Sequence, residues 1–340
     1  MCYKVEKHRK MAISLSEKLK DVPNFIADFF EQYKSAATKN CSWGYIRDML
    51  QWMVDKKYID KESISEITKE DINAIKSNQI IKYLNELKDG ITGRKNSLDS
   101  LRTKKNVFSA FWKYLFMNKY VDDNVIRHIP SYLYKSEVTD KEVKVPTQEQ
   151  LDNFLCNLND GKSEFTIIRN EAIVKLILGS GIRSAELINL DMKDLFLDED
   201  KPYIMVLGKG KIEQYDKVFI STSAKENLEY YMKHRELYVK QNNIDCNALF
   251  ISNDKQRMEK TAITYFFTRY SDGQINPHML RHWVGTELYK RTKDIVLVQK
   301  QLRHSSLETA AKYYVHMEED TIANAMAGLE FLGGNDGKYI

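Results

Sequence analysis

The stretch between Pro130 and Pro146 constrains this chain most. It turns charged and loses its hydrophobic period, running through Ser136-Glu137-Val138-Thr139-Asp140-Lys141-Glu142. No apolar helix or strand face can be drawn through it, so it reads as a linker between two folding units. At 340 residues the chain is long enough to give each unit a core of its own. The expected plan is a polar arm or short helix over residues 1–21, a first domain over 22–130, and a linker over 131–146. A second domain over 147–332 and a tail over 333–340 complete it.

Upstream of the linker the apolar residues recur at helical spacing. Phe25, Ile26, Phe29, Phe30 and Tyr33 make one stripe, and Trp43, Ile46, Met49, Leu50, Trp52 and Met53 a second. Thr68 has the chemistry of a helix cap ahead of Lys69-Glu70-Asp71-Ile72. Ile80, Ile81, Leu84 and Leu87 follow, then a break at Gly90 and Gly93. Residues 97–117 predict a long helix that turns Leu98, Leu101, Val107, Phe108, Phe111, Leu115 and Phe116 inward. The first domain is therefore expected to be all-α, a bundle of four or five helices.

Downstream the pattern is mixed. Thr147 caps a new helix, and residues 167–178 read as a buried helix that ends at Gly179 and Gly181. Tyr203-Ile204-Met205-Val206-Leu207 alternates, runs into Gly208-Lys209-Gly210-Lys211, and is answered by Lys217-Val218-Phe219-Ile220. That is a hairpin with a glycine-rich turn. A short strand is expected at Leu249-Phe250-Ile251 and helices elsewhere. The fold class is thus mainly α: an N-terminal helical bundle, then an α+β domain with a small antiparallel sheet.

Bulk composition excludes more than it selects. With 43% hydrophobic and 29% charged residues the chain has the make-up of a soluble globular protein, and a net charge of +4 does not by itself argue for nucleic acid. Cys2, Cys41, Cys156 and Cys246 lie far apart in no metal-ligand spacing, which reads as free intracellular thiols. No apolar run is long enough to span a membrane, and the N-terminus has no signal-peptide segment, so a cytoplasmic protein is expected. Neither a repeat nor a low-complexity segment is present.

Function concentrates in four places. Gly181-Ile182-Arg183-Ser184-Ala185-Glu186-Leu187 places an arginine after a glycine-rich turn. Asn276-Pro277-His278-Met279-Leu280-Arg281-His282 sets a histidine and an arginine three residues apart, on one helix face. Leu302-Arg303-His304-Ser305-Ser306 and Lys312-Tyr313-Tyr314-Val315-His316 follow. Singly, each arginine fits a surface ion pair, His278 a helix cap and His304 a loop histidine. Together they suit covalent attack on a phosphodiester, whose negative charge repels nucleophiles until fixed cations meet the developing pentavalent phosphorus. Arginine serves that need because it stays charged and its planar fork matches phosphate oxygens.

These boxes, in this order, resemble the tyrosine recombinases of the phage integrase family. Residues 181–187 look like its first arginine box, residues 278–282 like its His-x-Leu-Arg-His box, and residues 206–211 like the hairpin that carries a catalytic lysine. His304 follows Arg281 by 23 residues, close to the family spacing. The resemblance spans about residues 22–332 and implies a SAM-like core-binding domain followed by a catalytic domain.

Carried over residue by residue, Arg183 and Arg281 would clamp the scissile phosphate, His304 would donate a hydrogen bond to it, and His278 would act in proton transfer. Lys209 would protonate the leaving 5′-oxygen, with Lys211 the competing choice. Glu186 would orient the arginines. Tyr314 fits the family's Tyr-x-His-apolar pattern through His316 and Met317, and Tyr313 is the alternate nucleophile, with the other ring packing in the core or making a phenol hydrogen bond. One departure is Arg303, where the family usually has glycine; it adds a cation near the site.

Arg94, Lys95, Arg102, Lys104 and Lys105 crowd one short stretch. A solvated helix face is the bland reading; beside the catalytic boxes, a face that neutralises DNA phosphates is preferred. The implied reaction is site-specific recombination of double-stranded DNA through a 3′-phosphotyrosyl intermediate and a four-way junction, serving integration, excision or resolution. It implies no cofactor, no ATP and no metal, and a homo-tetramer on two DNA sites. Ile322, Ala325, Met326 and Leu329 form an apolar stripe that would pass to a neighbouring subunit or pack on its own domain. The alternatives keep the fold: a catalytically silent DNA-binding protein, or a relaxing topoisomerase of the same chemistry.

Overall fold

The computed structural model describes residues 3–93, 95–134, 145–159, 163–208, 214–304 and 306–307. The chain divides into two compact units, Met1–Lys141 and Glu142–Ile340. Most of the expected linker, over residues 135–144, lies outside the described residues.

In the first unit, α1 (Tyr3–Leu19) occupies the segment read as an arm, and its Leu15 is buried in the domain core. Then come α2 (Asn24–Ala27), a 3-10 turn over Asp28–Gln32, α3 (Ala36–Asp55), α4 (Lys69–Asn73), α5 (Ser77–Asp89) and α6 (Leu98–Met117). Short polar side chains start several of these helices. Ser35 accepts from the Thr38 N–H, Ser97 from the Ser100 N–H, and Thr68 and Asp71 bond each other's N–H groups reciprocally. Gly90, with φ +82°, ends α5 in the left-handed conformation that its break in the sequence predicts.

Aromatic rings fill this core. Phe29 meets Phe30, Tyr33, Phe111 and Tyr114 with ring centroids 5.1–5.6 Å apart. The inward face of α6 differs from expectation at its ends. Leu98 and Phe116 are 36% and 41% exposed, while Trp112, which the stripe did not include, is wholly buried. The core-facing row runs through Leu101, Phe108, Phe111, Trp112 and Leu115, and Phe116 falls on the far side of it.

The second unit contains α7 (Gln148–Asn157), α8 (Glu164–Ser180), α9 (Ser184–Leu187), β1 (Leu195–Phe196), β2 (Tyr203–Leu207) and β3 (Tyr215–Phe219). After these come α10 (Thr222–Asn242), α11 (Lys260–Tyr270), α12 (Pro277–Thr292) and α13 (Ile295–Leu302). Thr147 and Gln150 form the capping box expected at the start of α7. The sheet is antiparallel in the order β1-β2-β3, with Ile204 opposite Val218 and Leu207 opposite Tyr215. Ile204, Val206 and Val218 point into the core, while Tyr203 stacks on Phe196 on the other face.

The strand expected at residues 249–251 is replaced by two isolated bridges, Asp191 to Ala248 and Ile251 to Arg257. A ladder cannot continue there because side chains take the carbonyls. Tyr231 Oη donates to Leu249 O, and Arg235 Nε donates to Ala248 O and Leu249 O. The central helix of this unit is α8, whose buried residues fall on nearly every side. It packs against α10 and α12, which brings its C-terminal end beside the start of α12. At Gly179 an added Cβ would lie 2.5 Å from Ala224 Cβ, so α8 and α10 approach too closely there for a side chain.

Candidate active site

The site begins where α8 stops. Gly181 caps it with φ +67°, a conformation that L side chains resist. An added Cβ there would come 2.3 Å from Leu302 Cδ2, so the end of α13 lies directly against this turn. Arg183 is the cap of α9, and its backbone N–H is held by Glu186 Oε2 at 3.0 Å. The guanidinium Nη1 donates to Glu186 Oε1 at 2.7 Å, while Nη2 donates to Arg303 O, also at 2.7 Å.

Arg281 rises from the first turn of α12, which Asn276 caps and Pro277 opens. Its side chain is almost completely buried. Nη1 donates to Gly181 O and Nη2 to Leu302 O. The Leu302 and Arg303 carbonyls thus each receive one of the two arginines, and the turn they form hands the chain to His304. Gln301 pins that turn from its other side, donating to Ser180 O at 2.9 Å and Phe219 O at 2.8 Å. Loop, first arginine box and hairpin are therefore tied together by hydrogen bonds.

Three histidines share this environment. The His278 and His282 rings lie 4.7 Å apart, edge to face. Burial, with the charges of Arg281 and Arg183, holds His278 below the usual imidazole range. Burial pushes His282 down to about 4, helped by His278 and Arg281. His304 is likewise pushed to about 4 by burial, Arg281 and Arg183. All three are neutral at neutral pH, and the cationic charges that act on them come from Arg183, Arg281 and, at His278, Lys260. Burial works to raise the Glu186 carboxyl, but Arg303, the Arg183 N–H and the Arg183 charge outweigh it, and the group stays ionised below the ordinary carboxylate range.

The structure brings together Arg183, Glu186, His278, Arg281 and His304. Lys209, Lys211, Tyr313, Tyr314 and the apolar stripe at Ile322, Ala325, Met326 and Leu329 lie outside the described residues. The strands that flank the two lysines are described, with Leu207 and Tyr215 paired at the hairpin's end. The sequence pattern assigns no role to His282 or Gln301 and marks Arg303 only as an added cation near the site. His282 was legible one helical turn after His278; the other two act through backbone carbonyls or through Glu186, which no spacing announces.

The basic stretch of the first unit is less uniform than its charge. Lys95 is exposed, and Arg102 is exposed with an ion pair to Asp99 at 3.1 Å. Lys104 is 9% exposed, with its ammonium 5.1 Å from the Tyr45 ring centroid, and burial lowers its pKa. Lys105 donates to Pro130 O at 3.0 Å. Arg94 lies outside the described residues.

The second unit thus gathers two arginines and three neutral imidazoles around one turn, in a chain that opens with a helical bundle. Residues 144–320 match the phage integrase family. The chain is 30% identical over 229 residues to the tyrosine recombinase XerC of Thermodesulfovibrio yellowstonii, covering 65% of this chain and 72% of that one. It is 26% identical to the tyrosine recombinase XerS of Streptococcus uberis, covering 94% of this chain and 99% of that one. Among solved structures it resembles the XerH site-specific recombinase bound to difH substrate in a pre-cleavage complex, with TM-score 0.58 and 23% identity over 80% of this chain and 75% of that chain. The chain belongs to the phage integrase family. Within it, the protein is a tyrosine recombinase, an enzyme of site-specific DNA recombination.

Proposed function

We propose that the arginine cluster holds one phosphodiester of duplex DNA while a tyrosine attacks it. Arg183 and Arg281 balance the charge that grows on the non-bridging oxygens, and His304 donates a hydrogen bond to one of them. His278, neutral before the reaction, moves the nucleophile's proton. Tyr314 Oη forms the bond to phosphorus, with Tyr313 the alternate. The bond from phosphorus to the 5′-oxygen breaks, and Lys209, with Lys211 as alternate, protonates that oxygen. A 3′-phosphotyrosyl link and a free 5′-hydroxyl result. A 5′-hydroxyl from the partner duplex then attacks the link, so one phosphodiester replaces another and no external energy source enters.

The observation that carries this reading is the shared turn at residues 302–303. It receives both arginines through its carbonyls and places His304 next in the chain. We further propose that four copies assemble on two DNA sites, joined through the stripe at Ile322, Ala325, Met326 and Leu329, and that Lys95 and Arg102 neutralise DNA phosphates.

The test is cleavage of bound DNA. Arg183→Ala and Arg281→Ala are each expected to slow it by at least about 10²-fold, the scale of losing a preorganised charge donor, with far smaller losses of DNA affinity. Unchanged cleavage with weakened affinity would make both arginines docking residues instead.

A further inference from the structure

Arg303 has a backbone conformation that suits glycine and a side chain that glycine cannot supply. Its φ is +53°, in the left-handed region, where an L residue costs roughly 1–2 kcal/mol relative to the right-handed one. Its side chain is 10% exposed, although it lies at a surface turn between a helix and a loop. The guanidinium Nη2 donates to Glu186 Oε2 at 2.6 Å, and Nη1 donates to Gln301 O at 2.9 Å. Glu186 is therefore shared. One carboxylate oxygen accepts from the Arg183 side chain; the other accepts from the Arg183 backbone N–H and from Arg303 Nη2. The two guanidiniums are close enough to disfavour each other's charge, so the carboxylate between them is what lets both stay in place. The Arg303 carbonyl, meanwhile, holds the second nitrogen of Arg183.

On the recombinase reading above, we infer that Arg303 is a positioning residue of this chain: it holds the Glu186 carboxylate oxygen that the Arg183 guanidinium does not bind, and so sets the direction in which Arg183 meets the phosphate. Arg183 cannot rotate without breaking either the Glu186 contact or the Arg303 carbonyl contact. Both of those partners depend on the same turn. The arrangement also couples His304 to Arg183, because Arg303 and His304 are consecutive and the Glu186 contact anchors their loop to α9. A glycine at 303 would suit the backbone better and leave Glu186 with Arg183 as its only ion-pair partner among the described residues.

The test is a mutant cycle on the full-length protein with a nicked DNA substrate, measuring duplex affinity and the rate of covalent trapping separately. Arg303→Gly removes the contact while suiting the left-handed backbone, so the variant should fold. Its trapping rate is expected to fall by about tenfold while affinity changes by less than about threefold, in the range of coupled neighbours. Arg303→Lys, which restores the charge beside Glu186, should recover most of the loss. The decisive arm is Glu186→Gln. If Arg303 acts through Glu186, adding Arg303→Gly to Glu186→Gln should slow trapping no further than the slower single variant. Independent, multiplying effects would overturn the inference, as would an Arg303→Gly protein that traps DNA at the rate of the unsubstituted chain. Failure of the unsubstituted chain to trap DNA would be a different result: it would overturn the recombination reading itself and leave Arg303 no reaction to serve.

Discussion

At the scale of single residues, the site is a set of exchanges between buried charge and backbone carbonyls. Arg281 does two things at once: it satisfies Gly181 O and Leu302 O, and it lends its charge to the cluster. The three histidines accept the cost of burial by staying neutral. This has a pH consequence whose sign is fixed. For His282 and His304 the folded value near 4 lies below the unfolded value of about 6.5, so the unfolded chain binds more protons between them. Their contribution to stability is complete above that window and is lost as pH falls through it. Glu186 adds a second loss at still lower pH, as its depressed carboxyl is protonated. Thermal unfolding followed from pH 7.5 to about 4.5 should show Tm falling with acid, and His282→Gln should flatten that slope. An unchanged slope in the variant would assign the acid sensitivity to other groups. The arginines and both predicted histidines were legible because side-chain chemistry plus order along the chain identifies them. Arg303 was legible only as a departure, since its partner lies over a hundred positions away.

At the scale of elements, turns decide more than helices do. The helices α3, α5 and α6 could be read from period alone, because one apolar face repeats at 3.6 residues, although period misplaces the α6 face at Leu98, Trp112 and Phe116. The hairpin was equally plain, from alternation and its glycines. What period could not reveal was where backbone hydrogen bonds go. Residues 249–251 have strand composition, yet Tyr231 and Arg235 both donate to Leu249 O, and only bridges form. The turn at Gly181 is the element on which the site hangs. Gly181→Ala should meet both a left-handed backbone penalty of about 1–2 kcal/mol and a collision with Leu302, so it should lower Tm and slow DNA cleavage together. Gly273→Ala is the control: φ is +75° there, but no atom lies within 4 Å of the added Cβ. It should show the backbone penalty with no loss of cleavage. Equal effects at the two positions would mean that contact with Leu302 does not matter to the site.

At the scale of the whole molecule, the chain divides into two compact units, Met1–Lys141 and Glu142–Ile340. The first core reaches as far as Tyr134, which is buried and bonds Asn85 Oδ1 at 2.9 Å. Nothing in the period marks that extension, because Tyr134 is anchored by its hydroxyl and by a fit to α5 rather than by a repeat. Among the described residues no helix is long and apolar enough to cross a membrane. The second unit holds the preorganised cations, and the first carries exposed basic side chains on and before α6, at Lys95 and Arg102.

The central claim is that this cation cluster serves a tyrosine that becomes covalently joined to DNA. Trapping on a nicked suicide substrate, from which the severed 5′ fragment diffuses away, measures that directly. The unsubstituted protein should accumulate a covalent complex. Tyr314→Phe should bind the same duplex and accumulate none, while Tyr313→Phe should still trap. Trapping by Tyr314→Phe and not by Tyr313→Phe would move the nucleophile one residue, and trapping by neither the unsubstituted protein nor either variant would contradict the account.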